Sequence, residues 1–300
     1  MPWIYITIFA YFIAAVVAVI EKFLLQKAIP NSVVFTFYTG ILSIFILPLA
    51  LFFDFYWPGI GNWLIYTGLG ILFLVSLFAF FEAIARSEIS RVVVVVGAMT
   101  SVFTFIFERF LFGRELSLNQ IAAFVFLVVG GVMIMARKKD FSFRYFFKDF
   151  YLSFFAGALM GLYYSLVKEI LRPEDFFNGF IWTRMGSFLA SFIFLVPLFW
   201  RKQILGPRQK VKTGNKALFV INKGLGGFFF ILINFSISLA GNASIVNSLT
   251  AVQYVFVFIL TLGISVFFPK FIKEKISGLI VLQKVFSIIL VGTGLFLLMV

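Results

Sequence analysis

Long apolar segments alternate with short polar turns along the whole chain. The apolar segments are each about 20 residues or more in length, which is what an α-helix needs to cross the hydrocarbon core of a bilayer. Glycine, proline or charged residues separate one segment from the next. The pattern predicts ten membrane-spanning helices, at roughly residues 2–25, 32–53, 63–85, 89–112, 117–136, 149–171, 174–200, 217–239, 242–268 and 276–300.

Two local patterns refine this prediction. The run of valines from Val92 to Val96 is β-branched, and in a soluble protein it would favour a strand. Inside a long apolar segment a single strand would leave its backbone groups without partners in lipid, so we expect a helix. In the sixth segment, Gly157 and Gly161 are four residues apart, a spacing that predicts the close approach of another helix.

Composition gives the same class of protein. The chain is 62% hydrophobic and only 12% charged, which is too apolar for a water-soluble core of 300 residues. It has no cysteine and no histidine, which excludes disulfides, Cys/His zinc sites and a Ser-His-Asp triad. We therefore expect no cofactor and no metal. The net charge of +13 comes mainly from lysines and arginines in the turns, so it indicates membrane lipids and not nucleic acid as the partner.

The second half of the chain repeats features of the first. Ser101-Val-Phe is echoed by Tyr254-Val-Phe, and Gln120 with Gly131 is echoed by Gln283 with Gly294. We expect a first five-helix repeat at residues 1–136, a basic loop at 137–148 and a second repeat at 149–300. Because five is an odd number, a second copy that starts where the first ends must be inserted upside down.

The turn after the fourth segment reads Gly113-Arg-Glu-Leu-Ser117, and it follows a helix of the sequence SVFTFIFERFLF. With the Gly-Gly-Val at Gly130 that follows, this order resembles the repeat of the EamA family of the drug/metabolite transporter superfamily. The turn of the second half, at Glu274, is a looser match. The resemblance implies an all-α membrane fold of ten transmembrane helices in two inverted repeats around a central cavity. It also implies transport of small organic solutes by alternating access.

Three basic residues lie about six or more residues from the ends of predicted spans: Arg184, Lys223 and Lys284. A charge at the centre of a bilayer costs on the order of 3 kcal/mol, so each of them should face protein or water. Snorkelling or a buried ion pair is one interpretation, and contact with the solute is the other. If Arg184 and Lys284 both line the cavity, an anionic or carboxylate-bearing solute is favoured.

The acidic residues support mainly structural interpretations. Glu82 precedes Arg86 by one helical turn, which favours an ion pair, with proton coupling as the alternative. Glu21 and Lys22 end the first span and are expected at the membrane interface. Glu115 and Glu274 are expected to stabilise the N-termini of the fifth and tenth helices.

Uncharged polar side chains within the spans are further candidates for solute contact, because hydroxyls and amides orient a ligand in an apolar cavity. Each of them is equally compatible with hydrogen bonds between helices. These residues are Tyr163, Tyr164, Asn234, Asn247, Gln253 and Tyr254.

These observations predict a secondary transporter in the cell membrane and not an enzyme, with a small-molecule solute as its partner and a coupling proton or ion left open. The chain has no phosphate-binding glycine-rich motif for ATP. A non-transporting scaffold is the second hypothesis, and an intramembrane enzyme that uses Glu82 and Glu108 is the third. Lysines and arginines concentrate in the loops after odd-numbered spans, which would place both termini outside. The family resemblance implies that both are cytoplasmic.

Overall fold

A computed structural model describes residues 2–29, 31–113, 118–135, 143–170, 176–206, 213–240, 246, 249–270 and 277–297. Within these ranges all regular secondary structure is helical. The helices are α1 (Pro2–Phe23), α2 (Ser32–Leu42), α3 (Ile60–Arg86), α4 (Ile89–Phe112), α5 (Leu118–Met135), α6 (Phe143–Ile170), α7 (Phe176–Ser191), α8 (Leu198–Leu205), α9 (Thr213–Ala240), α10 (Thr250–Phe267) and α11 (Gly278–Leu297).

The helices confirm an all-α membrane protein. In the described part of the chain, eight helical segments are long and apolar enough to cross a membrane, and the bent pair α7–α8 counts as a ninth. The apolar part of α5, Leu118–Ile134, is shorter. Each of the ten predicted segments therefore coincides with an apolar helix. The valine run 92–96 lies within α4, as a helix and not as a strand.

Two of the predicted spans end differently from the expectation. After α2 the chain continues as a 3₁₀ helix, Ser43–Leu51, which contains Pro48. After α7 a shorter 3₁₀ turn, Phe192–Leu195, leads to Pro197, where the helix axis bends by 106° into α8. Proline has no N–H for the helical ladder and clashes with the preceding turn, so the seventh span does not continue to residue 200.

The halves meet through a few long helix contacts. α1 packs against α9 and α10, and α6 packs against α3 and α4. α5 packs against α11, while α3 also packs along α7. The valine run of α4 is among the most buried parts of the chain, because α5, α6, α10 and α11 surround this helix.

Glycines set the closest of these contacts. A Cβ atom at Gly157 would lie 2.5 Å from Met99 Cβ, and one at Gly161 would lie 2.7 Å from Phe103 Cβ. The two glycines therefore let α6 lie directly on α4, as their spacing predicted. At the contact between α3 and α7, a Cβ atom at Gly186 would lie 2.7 Å from Thr67 Cα.

Helix ends near the turns are fixed by specific bonds. Gly113 ends α4 in the left-handed region, with φ of 68°, a conformation that glycine adopts without strain. Lys22 is buried and not interfacial, because its Nζ donates to the carbonyl oxygens of Ile84 and Ser87, each at 2.5 Å, at the end of α3. The predicted capping residues Glu115 and Glu274 lie outside the described residues.

Candidate functional site

Arg184 lies about 12 Å along α7 from Phe176, near the middle of that span. Three phenylalanine rings surround its guanidinium. Cζ is 4.2 Å from the ring centroid of Phe73 on α3, 4.6 Å from that of Phe230 on α9 and 5.0 Å from that of Phe180 one turn earlier on α7. A guanidinium over aromatic faces is stabilised by their quadrupoles, which compensates part of the cost of removing it from water.

The charge of Arg184 is not neutralised by an acidic residue among the described parts of the chain. The ionisable groups that interact with it electrostatically are the hydroxyls of Tyr163 and Tyr164 on α6, which are uncharged at neutral pH. The guanidinium carries five N–H groups that can donate to an acceptor. The arrangement is therefore a positively charged, aromatic-lined position without an acidic partner in the described residues.

The two tyrosines differ in exposure. Tyr163 is 1% exposed, its ring centroid is 5.1 Å from that of Phe73, and its buried hydroxyl has no hydrogen-bond partner in the described residues. Tyr164 is 38% exposed, and its ring centroid is 5.4 Å from that of Tyr163. Tyr164 is therefore the more accessible of the two hydroxyls on α6.

Tyr11 is a site residue that the sequence reasoning missed. Its hydroxyl accepts a 2.8 Å hydrogen bond from Thr250 on α10 and donates a 3.2 Å bond to the carbonyl oxygen of Val246. A tyrosine in the middle of the first apolar span was the available signal. The hydrogen bond between Tyr11 and Thr250 joins α1 to α10.

Tyr254 is positioned by a glycine. Its hydroxyl lies so close to Gly97 on α4 that a Cβ atom there would overlap it. Like the hydroxyl of Tyr163, the Tyr254 hydroxyl is buried and has no hydrogen-bond partner within the described ranges. A buried hydroxyl without a partner is costly, which makes both tyrosines candidates for a contact that a ligand completes.

Lys223 lies away from Arg184, in an ion pair. Its Nζ is 2.6 Å from Glu21 Oε1 on α1 and 4.5 Å from the ring centroids of Phe35 and Phe81. Glu21 is 6% exposed, so the pair lies inside the bundle. This differs from the sequence prediction, which placed Glu21 at the membrane interface. The geometry favours a structural role for Lys223, because a carboxylate already neutralises it. The neighbouring Asn222 is completely buried.

Lys284 is also paired. Its Nζ is 2.8 Å from Glu88 Oε2, and Arg91 Nε is 2.8 Å from the same oxygen. Arg91 also donates to the carbonyl oxygen of Ile134 at the end of α5. Glu88, just outside the spans, is partly desolvated, which acts to raise its pKa. Lys284 and Arg91 outweigh this effect and lower the pKa of Glu88 to about 2. This cluster ties α4, α5 and α11 together.

The remaining candidates are separate from Arg184. Glu82 forms the predicted ion pair with Arg86, whose side chain is 42% exposed. Gln253 lies half-buried on α10, next to Tyr254. The side chain of Asn234 and the whole of Asn247 lie outside the described residues. Of the residues proposed from sequence, the structure thus brings Arg184, Tyr163 and Tyr164 together and gives Lys223 and Lys284 carboxylate partners elsewhere.

The chain is similar to one family of known proteins and to a protein of known structure. Residues 1–136 match the model of the EamA-like transporter family. The chain is also similar to a protein of known crystal structure: the match covers 97% of this chain and 94% of the other, with a TM-score of 0.55 and 18% sequence identity. At that identity the likeness shows the fold alone. No curated protein matches the chain.

Proposed function

We propose, from the membership of residues 1–136 in the EamA-like transporter family, that the chain is a secondary transporter that moves a small organic metabolite by alternating access. The family belongs to the drug/metabolite transporter superfamily, and the chain is a multi-pass membrane protein. In this proposal one five-helix half rocks against the other, so that a site near the midplane faces each side of the membrane in turn. The location that we propose for the protein is the cell membrane.

The observation that carries the proposal is the position of Arg184. It lies near the middle of its span, its charge lacks an acidic partner in the described chain, and its ring contacts come from both halves: Phe73 from the first, Phe180 and Phe230 from the second. A binding site between two repeats is what alternating access requires. Arg184, Tyr163 and Tyr164 are therefore assigned to solute contact, and Tyr254 and Gln253 on α10 remain separate candidates.

Two features support the assignment of inverted repeats to residues 1–136 and 149–300, with 137–148 between them. α1 packs against α9 and α10 in the same way that α6 packs against the corresponding helices α3 and α4. The second helices of the two halves, α2 and α7, both end in 3₁₀ geometry close to a proline, Pro48 and Pro197. Corresponding helices of the two halves thus have corresponding packing partners and a similar change to 3₁₀ geometry near a proline.

Glu82 is the candidate for coupling to a proton. Its carboxylate bonds Arg86 on the same face of α3, and its side chain is 23% exposed. Protonation would remove the charge that this ion pair needs, so a proton bound at Glu82 would release Arg86. Replacement by glutamine should then leave solute binding intact and abolish the dependence of uptake on a proton gradient.

Reconstitution tests the proposal. Solutes that raise the thermal unfolding temperature of the purified protein are selected first, and their uptake into proteoliposomes is then measured with and without an internal supply of the same solute. Saturable uptake that internal solute accelerates is expected, because an alternating site exchanges its load. Proteoliposomes that bind a stabilising solute but take up no more than empty vesicles would contradict transport and favour a scaffold.

A further inference from the structure

We propose that the solute is a monocarboxylate with a flat apolar body, and that the guanidinium of Arg184 binds the carboxylate. The inference rests on the proposed transport function, and it names the substrate class of the same site. It follows from three properties of the described residues: the charge at Arg184, the rings around it, and the pairing of Lys223 and Lys284 with carboxylates elsewhere.

The charge comes first. Arg184 is partly buried among three phenylalanine rings, and the neighbouring Tyr163 and Tyr164 carry no charge at neutral pH that would neutralise it. A cation in apolar surroundings without an anion is costly, and a bidentate carboxylate is the partner that matches the planar fork of an arginine. Binding of a carboxylate therefore removes an existing cost in addition to forming new bonds.

The surroundings define the rest of the solute. Phe73, Phe180 and Phe230 contact the guanidinium, and the rings of Phe180 and Phe230 are stacked with centroids 5.1 Å apart and planes at 11°. Tyr163 and Tyr164 add two further rings on the side of α6. Aromatic walls bind flat apolar groups through large contact areas and offset stacking. A carboxylate attached directly, or through one carbon, to an aromatic ring fits both features.

The solute carries one negative charge because the site supplies one positive charge. Lys223 and Lys284, the other two basic candidates for solute contact, are bound by Glu21 and Glu88 at 2.6 Å and 2.8 Å. A dicarboxylate would therefore bring a second charge into an aromatic environment that offers it no cation. We therefore expect the site to reject dianions as well as to bind monoanions.

The experiment measures binding through the thermal unfolding temperature of the purified full-length chain. The probes are three aromatic monocarboxylates (benzoate, phenylacetate and indole-3-acetate), benzamide as a neutral analogue, benzylamine as a cation and phthalate as a dianion. Each is titrated against the wild type, Arg184→Gln and Arg184→Lys. Arg201→Gln is the matched control, because it removes an exposed arginine of α8 to which no part in binding or coupling is assigned.

At least one monocarboxylate should stabilise the wild type and Arg201→Gln, with benzamide, benzylamine and phthalate ineffective at the same concentrations. Arg184→Lys keeps the charge but loses the bidentate fork, and its affinity should fall roughly tenfold or more. Arg184→Gln should abolish the effect. Equal stabilisation by benzoate and benzamide, an unchanged response in Arg184→Gln, or no response to any of the three monocarboxylates overturns the proposal.

Arg184→Lys also guards against misfolding, since it keeps a cation at the site even if Arg184→Gln does not fold. Exchange of the labelled, stabilising monocarboxylate across proteoliposomes then separates this proposal from the transport function. Binding without exchange would leave the carboxylate site standing and contradict transport. Exchange of neutral or cationic solutes that is the same in Arg184→Gln as in the wild type would confirm transport and overturn the monocarboxylate assignment.

Discussion

Lys223 Nζ lies 2.6 Å from Glu21 Oε1, and this contact joins α9 to α1 in the interior of the bundle. Both side chains are largely buried, and the rings of Phe35, Phe81 and Phe219 surround the ammonium. Two charges of opposite sign in an apolar environment depend on one another, because either of them alone would be left without compensation. The pair therefore connects the halves only while both charges are present.

Replacing Glu21 by glutamine should destabilise the protein by about 3–5 kcal/mol, because it leaves the lysine cation buried. The measurement is thermal or denaturant unfolding of the detergent-solubilised protein. Glu82→Gln is the control, since its partner Arg86 is 42% exposed and such pairs contribute about 1 kcal/mol or less. Apolar replacement of both residues, Glu21→Leu with Lys223→Met, should recover most of the loss. Similar losses in Glu21→Gln and Glu82→Gln would contradict the buried pair.

The cluster of Glu88, Arg91 and Lys284 gives the protein a pH dependence. Since the pKa of Glu88 is lowered from 4.5 to about 2, its contribution is complete above about pH 4.5 and is lost as the pH falls towards 2. A shift of this size corresponds to roughly 3 kcal/mol. The difference in stability between the wild type and Glu88→Gln should therefore be largest at neutral pH and shrink below about pH 4.5. A difference that stays constant from pH 7 to pH 3 would show that the charge has no part in it.

Gly70 on α3 lies against the backbone of α7. A Cβ atom there would come within 2.5 Å of the carbonyl oxygen of Thr183 and the carbonyl carbon of Gly186, and backbone atoms have little freedom to retreat. Gly70→Ala should lower stability by about 1–3 kcal/mol and separate α3 from α7. Gly68→Ala is the matched control, because a Cβ atom at Gly68 meets nothing within 4 Å. If the two variants unfold at the same temperature, the close contact of these helices is refuted.

Gly97 and Tyr254 should behave as a coupled pair. Gly97→Ala adds a methyl group where the Tyr254 hydroxyl lies, so it should displace the ring and weaken any solute response by about tenfold or more. Tyr254→Phe removes a buried hydroxyl that has no partner in the described chain, and its own cost should be small. The double variant should therefore be more stable than Gly97→Ala alone. Additive effects of the two substitutions in a double-mutant cycle would exclude direct contact.

The two termini should lie on the same side of the membrane, because ten spans are an even number. A reporter that is active on only one side, fused to either end, should give the same signal from both fusions. The sign of the signal also decides between the two orientations, since the distribution of lysine and arginine places both ends outside and the family resemblance places both inside. Opposite signals from the two fusions would contradict the ten-span architecture.

The helices could be predicted from the sequence because lipid requires every backbone group to be paired within a segment. α4 and α6 also met as Gly157 and Gly161 indicated. The partners of the charged residues were less predictable. Lys223 and Glu21 are 202 positions apart, and the pairing of Lys284 with Glu88 likewise depends on how distant helices are arranged in space. Arg184 could be recognised as an intramembrane charge, but its distance from the carboxylates of the described residues is a property of the fold.

The 3₁₀ segments at the ends of α2 and α7 have a consequence for how these helices fit the membrane. A 3₁₀ helix rises about 2.0 Å per residue where an α-helix rises about 1.5 Å, so the stretch Ser43–Leu51 reaches about 18 Å instead of about 14 Å. Together with the α-helical part, the 20 residues Ser32–Leu51 extend to about 34 Å. A segment that would otherwise only just match the bilayer thus exceeds it, and each local change between the two helical pitches would alter its length by about 0.5 Å per residue.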